Sequence, residues 1–434
     1  MQLRLPITVQ LEITDNCNFR CQHCYRLEDA ERRFKESDDE RIMEIARRLA
    51  EDQVYNIILT GGEPLTRPDL LKRLVKFLND ADCNVNINTN LTLLTDDLIE
   101  CFIENDVRNL LVSCPSGIPE EYNKITRTSA FNVFEKNLRK LNESGIHHSI
   151  NMVVNQMNVH SVRQTAEFVK GCGSTRFGAT PMSLNALYPR KDLLLSKEEV
   201  TDVLWELNAI HEELGMDIDV MEALPKCAVP RELVQKGLSF TRRKCQAGLT
   251  TAAISSNGDV RPCTHNPKSC GNMLEKPLSE IWKGMSSWRD MTYVPEDCRD
   301  CALMSRCNGA CRINALTMNG RLDGRDIWMT EPISKSETIR DGRPVLTPET
   351  QVRMMKTKLK FRNESDGYKL VFGRNGRQVA MVNDEVVKLI DMIGDRTMSI
   401  REIAAMGDAD PDNEKLTSIL RHLISRRLMK IENK

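Results

Sequence analysis

Cys17, Cys21 and Cys24 stand within eight residues of one another, in the stretch TDNCNFRCQHCYR that follows the run TVQLEIT. Their spacing, CX3CX2C, lets three thiolates on one loop converge on a cubane-sized object. Four soft ligands close a zinc or iron–sulfur site, so a set of three leaves one metal position for something other than protein. The alternative is a zinc knuckle with His23 as the fourth ligand. A second group comprises Cys245, Cys263, Cys298, Cys301, Cys307 and Cys311, spaced CX12GX4C around Gly258 and then CX2CX5CX3C. The last four of these could instead close one four-thiolate zinc ribbon. A third feature, TGGEP over Thr60–Pro64, directly follows the run NIIL. Paired glycines allow a close approach of the main chain to a ligand, and Glu63 offers a carboxylate to a cationic group.

The chain has 434 residues, a formal net charge of −1 and 15 cysteines. An odd cysteine count, bunched in two regions, argues against a disulfide framework and for metal or cluster ligation in a reducing compartment. Cys83, Cys101, Cys114 and Cys172 read as small core residues. Cys227, in LPKCAVP, is open between a ligand and a hydrogen-atom donor. The near-neutral charge gives no electrostatic case for a nucleic-acid partner. No apolar run reaches the ~18 residues of a membrane span, and the N-terminal stretch is too short and polar for a signal peptide. A cytoplasmic location is expected.

These loops need a scaffold. From Ile7 to about Val220, strand-like runs (TVQLEIT, NIILTGGE, NVNINTN, NLLVSC, HSINMVVN, TRFGATP) alternate with amphipathic helical stretches. That alternation predicts a parallel sheet with right-handed crossovers: an α/β fold, a partial (β/α)6 TIM-type barrel over residues 1–230, with chemistry at the C-terminal ends of its strands. Residues 231–332 have little core-forming periodicity and would need metal to hold shape. Residues 333–355 read as a linker. Residues 356–434 read as a small independent domain: a hairpin (YKLVFG, QVAMVN) turning at RNGR, then three helices. Asn383 caps the first helix, and Ser399 with Glu402 forms a capping box on the second. Such a hairpin with three helices suggests a winged helix-turn-helix body.

The CX3CX2C loop after the first strand, followed by GGEP after the second, resembles the radical S-adenosylmethionine superfamily. His23 precedes the last cysteine where that family usually has an aromatic residue, and Tyr25 follows it. The resemblance implies that Cys17, Cys21 and Cys24 hold a catalytic 4Fe–4S cluster whose open iron binds the amino and carboxylate groups of S-adenosylmethionine. It implies that Gly61, Gly62, Glu63 and Pro64 bind the cofactor's methionine, with Ser113 and Asn151 placed for its ribose and carboxylate. The six-cysteine pattern resembles the SPASM extension, which implies two auxiliary 4Fe–4S clusters and three in all. One would be held by Cys245, Cys263 and Cys311, with Cys270 close enough in sequence to complete it. The other would be held by Cys298, Cys301 and Cys307, completed by Asp323, Asp326 or water. The family's usual seventh cysteine is absent, and Met329 stands near its place.

The C-terminal segment resembles the peptide-binding element of ribosomal-peptide maturation systems known from pyrroloquinoline quinone biosynthesis. It implies capture of a precursor's leader as an added strand. The expected activity is reductive cleavage of S-adenosylmethionine to a 5′-deoxyadenosyl radical. That radical abstracts hydrogen from a ribosomally made peptide and installs a crosslink, thioether, epimerised residue or oxidation. An external one-electron reductant of flavodoxin or ferredoxin type is implied. Two other readings compete: a tetrapyrrole side-chain-modifying enzyme, and a cluster-bearing DNA-binding redox regulator, encouraged by RHLISRR. Sulfatase maturation is disfavoured, because Thr264 follows Cys263 where an Asp base is expected.

Overall fold

The computed structural model describes residues 3–25, 37–187, 189–333, 345–355, 358–373 and 378–432. It divides into two compact units, residues 8–340 and residues 1–7 with 341–434.

In the larger unit, strands and helices alternate in the order β1 (Thr8–Thr14), α1 (Asp39–Glu51), β2 (Asn56–Gly61), α2 (Pro68–Asp80), β3 (Asn84–Thr89), α3 (Asp96–Glu104) and β4 (Asn109–Ser113). Then come α4 (Pro119–Thr126), α5 (Phe131–Glu143), β5 (His148–Val154), α6 (Val162–Gly171), β6 (Arg176–Pro181), α7 (Lys197–Leu214) and β7 (Asp217–Asp219). Each of β1 to β7 pairs in parallel with its neighbour in sequence. The reason lies in the period-2 pattern. Val9, Leu11, Ile57, Leu59, Ile87, Leu110, Ile150 and Met152 are fully buried. The alternate positions, Glu12, Thr60, Asn86, Asn88, Ser113, Asn151 and Thr180, share the other, polar face. Helix starts carry their own signals: Asp38 accepts from Arg41 N (2.8 Å) at α1, and Ser196 with Glu199 forms a capping box at α7.

The sheet extends further than six strands. The remaining elements of this unit are the short helix α8 (Arg231–Gln235), strands β8 (Thr251–Ile254) and β9 (Val260–Arg261), and helices α9 (Leu278–Gly284), α10 (Met304–Cys307) and α11 (Arg312–Asn319). β8 pairs in parallel with β1, and β9 runs antiparallel to β8, giving the order β7-β6-β5-β4-β3-β2-β1-β8-β9. The cysteine-rich region is therefore built onto the barrel sheet. TAAI and DID are too short for periodicity to mark them in the sequence.

The smaller unit contains β10 (Gln351–Met354), β11 (Lys360–Asn363), β12 (Tyr368–Phe372), β13 (Val379–Asn383), α12 (Asp384–Ile393), β14 (Thr397–Ser399), α13 (Ile400–Met406), α14 (Glu414–Ser425) and β15 (Met429–Ile431). The expected hairpin is β12 with β13; its RNGR turn lies outside the described residues. β11 adds to it as a third antiparallel strand, and a second sheet has the order β14-β10-β15. β10 falls in the segment expected to be a linker, whose residues 334–344 lie outside the described ones. Asn383 caps α12 by accepting from Val386 N (3.0 Å), and Ser399 with Glu402 forms the capping box on α13. The core joins Val352, Val371, Ile390, Ile393, Leu420 and Leu423. Arg362 on β11 is fully buried, donating to the carbonyls of Leu5 (3.0 Å) and Pro6 (2.8 Å), which ties residues 3–6 into this unit.

Candidate functional site

The loop after β1 carries Cys17, Cys21 and Cys24, at the C-terminal end of the strand. Several neighbours hold it. Arg20 N and Gln22 N donate to the carbonyls of Thr126 (3.1 Å) and Ile125 (2.9 Å) at the end of α4. Arg190 Nη1 donates to Gln22 O (2.8 Å), and Asn185 Nδ2 donates to Tyr25 O.

The tightest brace is the glycine pair. Gly62 N and Glu63 N donate to the carbonyls of Thr14 and Asn16, each at 2.8 Å. A Cβ on Gly61 would lie 2.2 Å from Thr14 O, on a backbone at φ +142°, and one on Gly62 would lie 2.0 Å from Asn16 O. The main chain that these glycines admit is thus the cysteine loop itself. Glu63 is almost fully buried. Oε1 accepts from Leu65 N (3.0 Å) and Thr89 Oγ1 (2.8 Å), and Oε2 accepts from Asn90 N (2.6 Å). Burial raises its carboxyl to about 7 against the pull of these three donors. Pro64, also buried, opens the turn Pro64–Thr66 that Glu63 caps.

Burial raises the Cys17 thiol to about 11 and the Cys21 thiol higher still, and Cys24 adds to both shifts. Such thiols ionise only against a positive charge, which is what iron supplies. Cys17 Sγ faces two donors, Phe19 N (3.4 Å) and Asn90 Nδ2 (3.9 Å). The donor set, soft and partly sealed, fits a three-thiolate cluster. His23 has a sealed Nδ1 with no protein partner, and burial lowers its pKa to about 4.

Asn90, at the end of β3, was not marked by the sequence, where it reads as an ordinary strand-end polar residue. Its side chain also donates to Asn18 Oδ1 (2.8 Å) and accepts from Thr92 Oγ1 (2.7 Å), which steadies the loop. Ser113 is exposed at the end of β4 and stands in register with Asn151 on β5. Asn151 Oδ1 accepts from Thr180 Oγ1 (2.7 Å). Cys114 points away, sealed in the core.

The cysteine-rich region reaches this loop. Glu12 on β1 and Arg261 on β9 form a buried ion pair, and Arg261 also donates to Thr264 O (3.3 Å). Tyr25 lies beside Glu12 and Arg261, its ring centroid 4.8 Å from that of His265. Arg261→Met is expected to destabilise the fold by about 3–5 kcal/mol, because it strands a buried carboxylate. Glu12→Gln with Arg261→Met is expected to recover most of that loss, as read by urea denaturation of the two variants.

Six of the remaining thiols fall in two neighbourhoods. Cys245 lies near both Cys263 and Cys311, and burial raises Cys245 to about 11 and Cys263 to about 12. Half-buried Glu222 faces all three, as Asp326 faces Cys245 and Cys311. Asp326 therefore belongs with this set. It accepts from Cys311 N (3.1 Å), Asn314 Nδ2 (3.3 Å) and Trp328 N (3.1 Å), and burial raises it to about 6. Arg312, buried between Tyr293 O and Gly324 O, leaves its Nη2 with no protein acceptor. Cys270 is exposed and faces Lys268, and Asp323 pairs with Arg321, so the structure brings neither to a cysteine set. Cys298, Cys301 and Cys307 line a separate cavity, and Cys311 lies near Cys245.

Residues 11–169 match the model of the radical SAM superfamily, and residues 245–308 match that of the SPASM iron–sulfur cluster-binding domain. The AdoMet-dependent heme synthase of Methanosarcina barkeri is 25% identical over 329 residues, covering 73% of this chain and 93% of its own. The PqqA peptide cyclase of Granulibacter bethesdensis is 24% identical over 331 residues, covering 74% and 86%. The crystal structure of Streptococcus suis SuiB bound to the precursor peptide SuiA shares the fold, with a TM-score of 0.61 at 17% identity over 75% of each chain. The chain thus carries a radical SAM domain, in which the three-thiol loop and its glycine brace lie, and a SPASM domain, in which the cysteines from Cys245 to Cys307 lie.

Proposed function

We propose that the chain is a maturase that modifies a ribosomally made peptide by radical chemistry. The observation that carries this reading is the joining of the Cys17–Cys21–Cys24 loop to the Gly61–Gly62 main chain at the C-terminal end of the first two strands. A cluster held there supplies, when S-adenosylmethionine binds its open iron, an electron to the sulfonium and hence a 5′-deoxyadenosyl radical. The chain's own residues do the rest. Cys17, Cys21 and Cys24 fix three corners, and Glu63 and Asn90 hold the loop and the end of β3 in register. Pro64 shapes the turn beyond Glu63. Ser113 and Asn151 present polar groups from neighbouring strands towards the nucleotide.

We assign Cys245, Cys263 and Cys311 to one auxiliary cluster and Cys298, Cys301 and Cys307 to another, making three 4Fe–4S clusters, with Cys270 outside both. Auxiliary clusters suit a reaction that removes a second electron from the substrate. A flavodoxin- or ferredoxin-type protein in the cytoplasm would supply the first. No helix among the described residues is long and apolar enough to cross a membrane. The domain limits proposed remain 1–230, 231–332 and 356–434, with β10 joining the last.

The peptide substrate rests on the relatives and on the smaller unit. The named PqqA cyclase and the SuiA-bound SuiB act on or bind peptides, and β11 and β13 are outer strands to which an extended leader could add. The heme-synthase relative favours a second reading, a tetrapyrrole substrate, which has no need of such a sheet. Hydrogen exchange on the full chain separates them. A short precursor encoded beside this protein is expected to slow exchange in Lys360–Asn363 or Val379–Asn383 and to stimulate 5′-deoxyadenosine release. Release stimulated by a porphyrin, with no protection in 345–432, favours the second reading.

A further inference from the structure

Three thiols, Cys298, Cys301 and Cys307, are one short of a closed cluster, and the sequence holds no cysteine beyond Cys311. The structure supplies a fourth from the other direction. Cys227, in the turn Lys226–Ala228 that precedes the cysteine-rich region, lines the same cavity as those three thiols. Cys227 and Cys298 pack against the same small core of Cys307, Ala310 and Met329.

Two further features mark this cavity as built for an anionic sulfur-ligated group. First, main-chain N–H groups are aimed at the sulfurs. Lys226 N donates to Cys307 Sγ (3.5 Å), Thr330 N to Cys227 Sγ (3.4 Å) and Ile333 N to Cys301 Sγ (3.4 Å). Such N–H···S bonds stabilise the charge on cluster thiolates and tune the cluster's potential. Cys227 receives the same treatment as its two partners. Second, Lys226 is 4% exposed, lines the cavity, and has Phe240 O at 3.4 Å as its acceptor. A basic side chain in the wall suits a cavity that takes an anionic group.

We propose that Cys227 is the fourth protein ligand of the auxiliary 4Fe–4S cluster held by Cys298, Cys301 and Cys307. Each thiol gives up its proton on binding iron, and no electron is exchanged in the step. Met329, with Sδ 4.0 Å from Cys298 Sγ, also lines the cavity; its neutral thioether is the weaker donor to iron. The consequence is functional. A cluster closed by four side chains has no iron for substrate to bind, so it serves as an electron carrier. This rests on the cluster-binding reading of the cysteine-rich region.

The test uses the full chain with Cys17, Cys21 and Cys24 changed to Ala, so that auxiliary iron is read alone after anaerobic reconstitution. Adding Cys227→Ala is expected to remove about one iron per chain, leaving a 3Fe–4S signal in EPR, or about four if the cluster is lost. Cys227→Ser, whose oxygen can still ligate, is expected to keep the iron and lower the midpoint potential. Met329→Leu and Cys270→Ala are expected to leave iron content unchanged. The unaltered holoenzyme gives a second readout that does not depend on a variant folding. Under anaerobic alkylation with iodoacetamide, Cys227 is expected to be protected together with Cys298, and to react once iron is chelated. Full iron with an unchanged spectrum in Cys227→Ala, or alkylation of Cys227 at one rate before and after iron removal, overturns the proposal. Zinc in place of iron at all these thiols would instead overturn the cluster reading beneath it.

Discussion

Replacement of Cys17, Cys21 and Cys24 by alanine is expected to reduce 5′-deoxyadenosine release from S-adenosylmethionine to the background of reductant alone, while iron at the other cysteine sets remains. The reasoning is one of separation. The three thiols sit on one loop after β1, and burial disfavours the ionised forms of Cys17 and Cys21. The auxiliary thiols hang on different supports, namely the loops flanking β8 and β9, the Lys226–Ala228 turn and the ends of α10 and α11. Removing the first set should therefore leave the second folded. Quantitation of nucleoside product by chromatography, alongside iron analysis, reads both halves of the expectation. Undiminished release in the triple variant would move the radical chemistry to another cluster.

Gly61→Ala or Gly62→Ala is expected to have nearly as large an effect, although neither change removes a ligand. The added methyl would sit about 2 Å from a carbonyl oxygen of the cysteine loop, well inside van der Waals contact. Gly61 is further constrained by its φ of +142°, which a residue with a Cβ rarely adopts. Either β2 or the loop must move by an ångström or more, taking Cys17 with it. A misplacement of that size costs about 100-fold in rate where geometry matters. Iron at the first cluster should fall in parallel, and the far-ultraviolet circular dichroism should hold, since the clash is local. Gly171→Ala, at the end of α6 with open space around it, serves as the control and should behave as the parent protein. A Gly62→Ala chain with full iron and normal turnover would show that the glycine brace is not needed to position the loop.

Much of the architecture was legible in local pattern. The alternating strands and amphipathic helices of the barrel follow from period-2 and period-3.6 repeats, and the capping signals at Asn383 and at Ser399 with Glu402 carry their own geometry. The first thiol set stands out in the sequence because all its members share one loop. What escaped was whatever depends on contacts between distant segments. β8 is four residues long with small side chains, and only its register with β1 makes it a strand. Asn90 looks like any polar residue at a strand end until Cys17 and Glu63 are placed beside it. The glycine pair was expected to admit a ligand, and it first admits the cysteine loop. Cys270 shows the converse: nearness in sequence to Cys263 suggested a ligand, and the structure places it exposed beside Lys268. Cys227 is far from Cys307 along the chain, and the turn at Lys226 brings the two to one cavity.

The central claim is that the cluster on the β1 loop keeps one iron for S-adenosylmethionine. The most direct measurement is electron–nuclear double resonance on the anaerobically reduced protein, mixed with S-adenosylmethionine labelled with ¹⁵N at the amino group. The account predicts a hyperfine coupling from that nitrogen to the reduced cluster, absent from the variant lacking Cys17, Cys21 and Cys24. A reduced cluster whose spectrum is unchanged by saturating S-adenosylmethionine, with no ¹⁵N coupling, would contradict it.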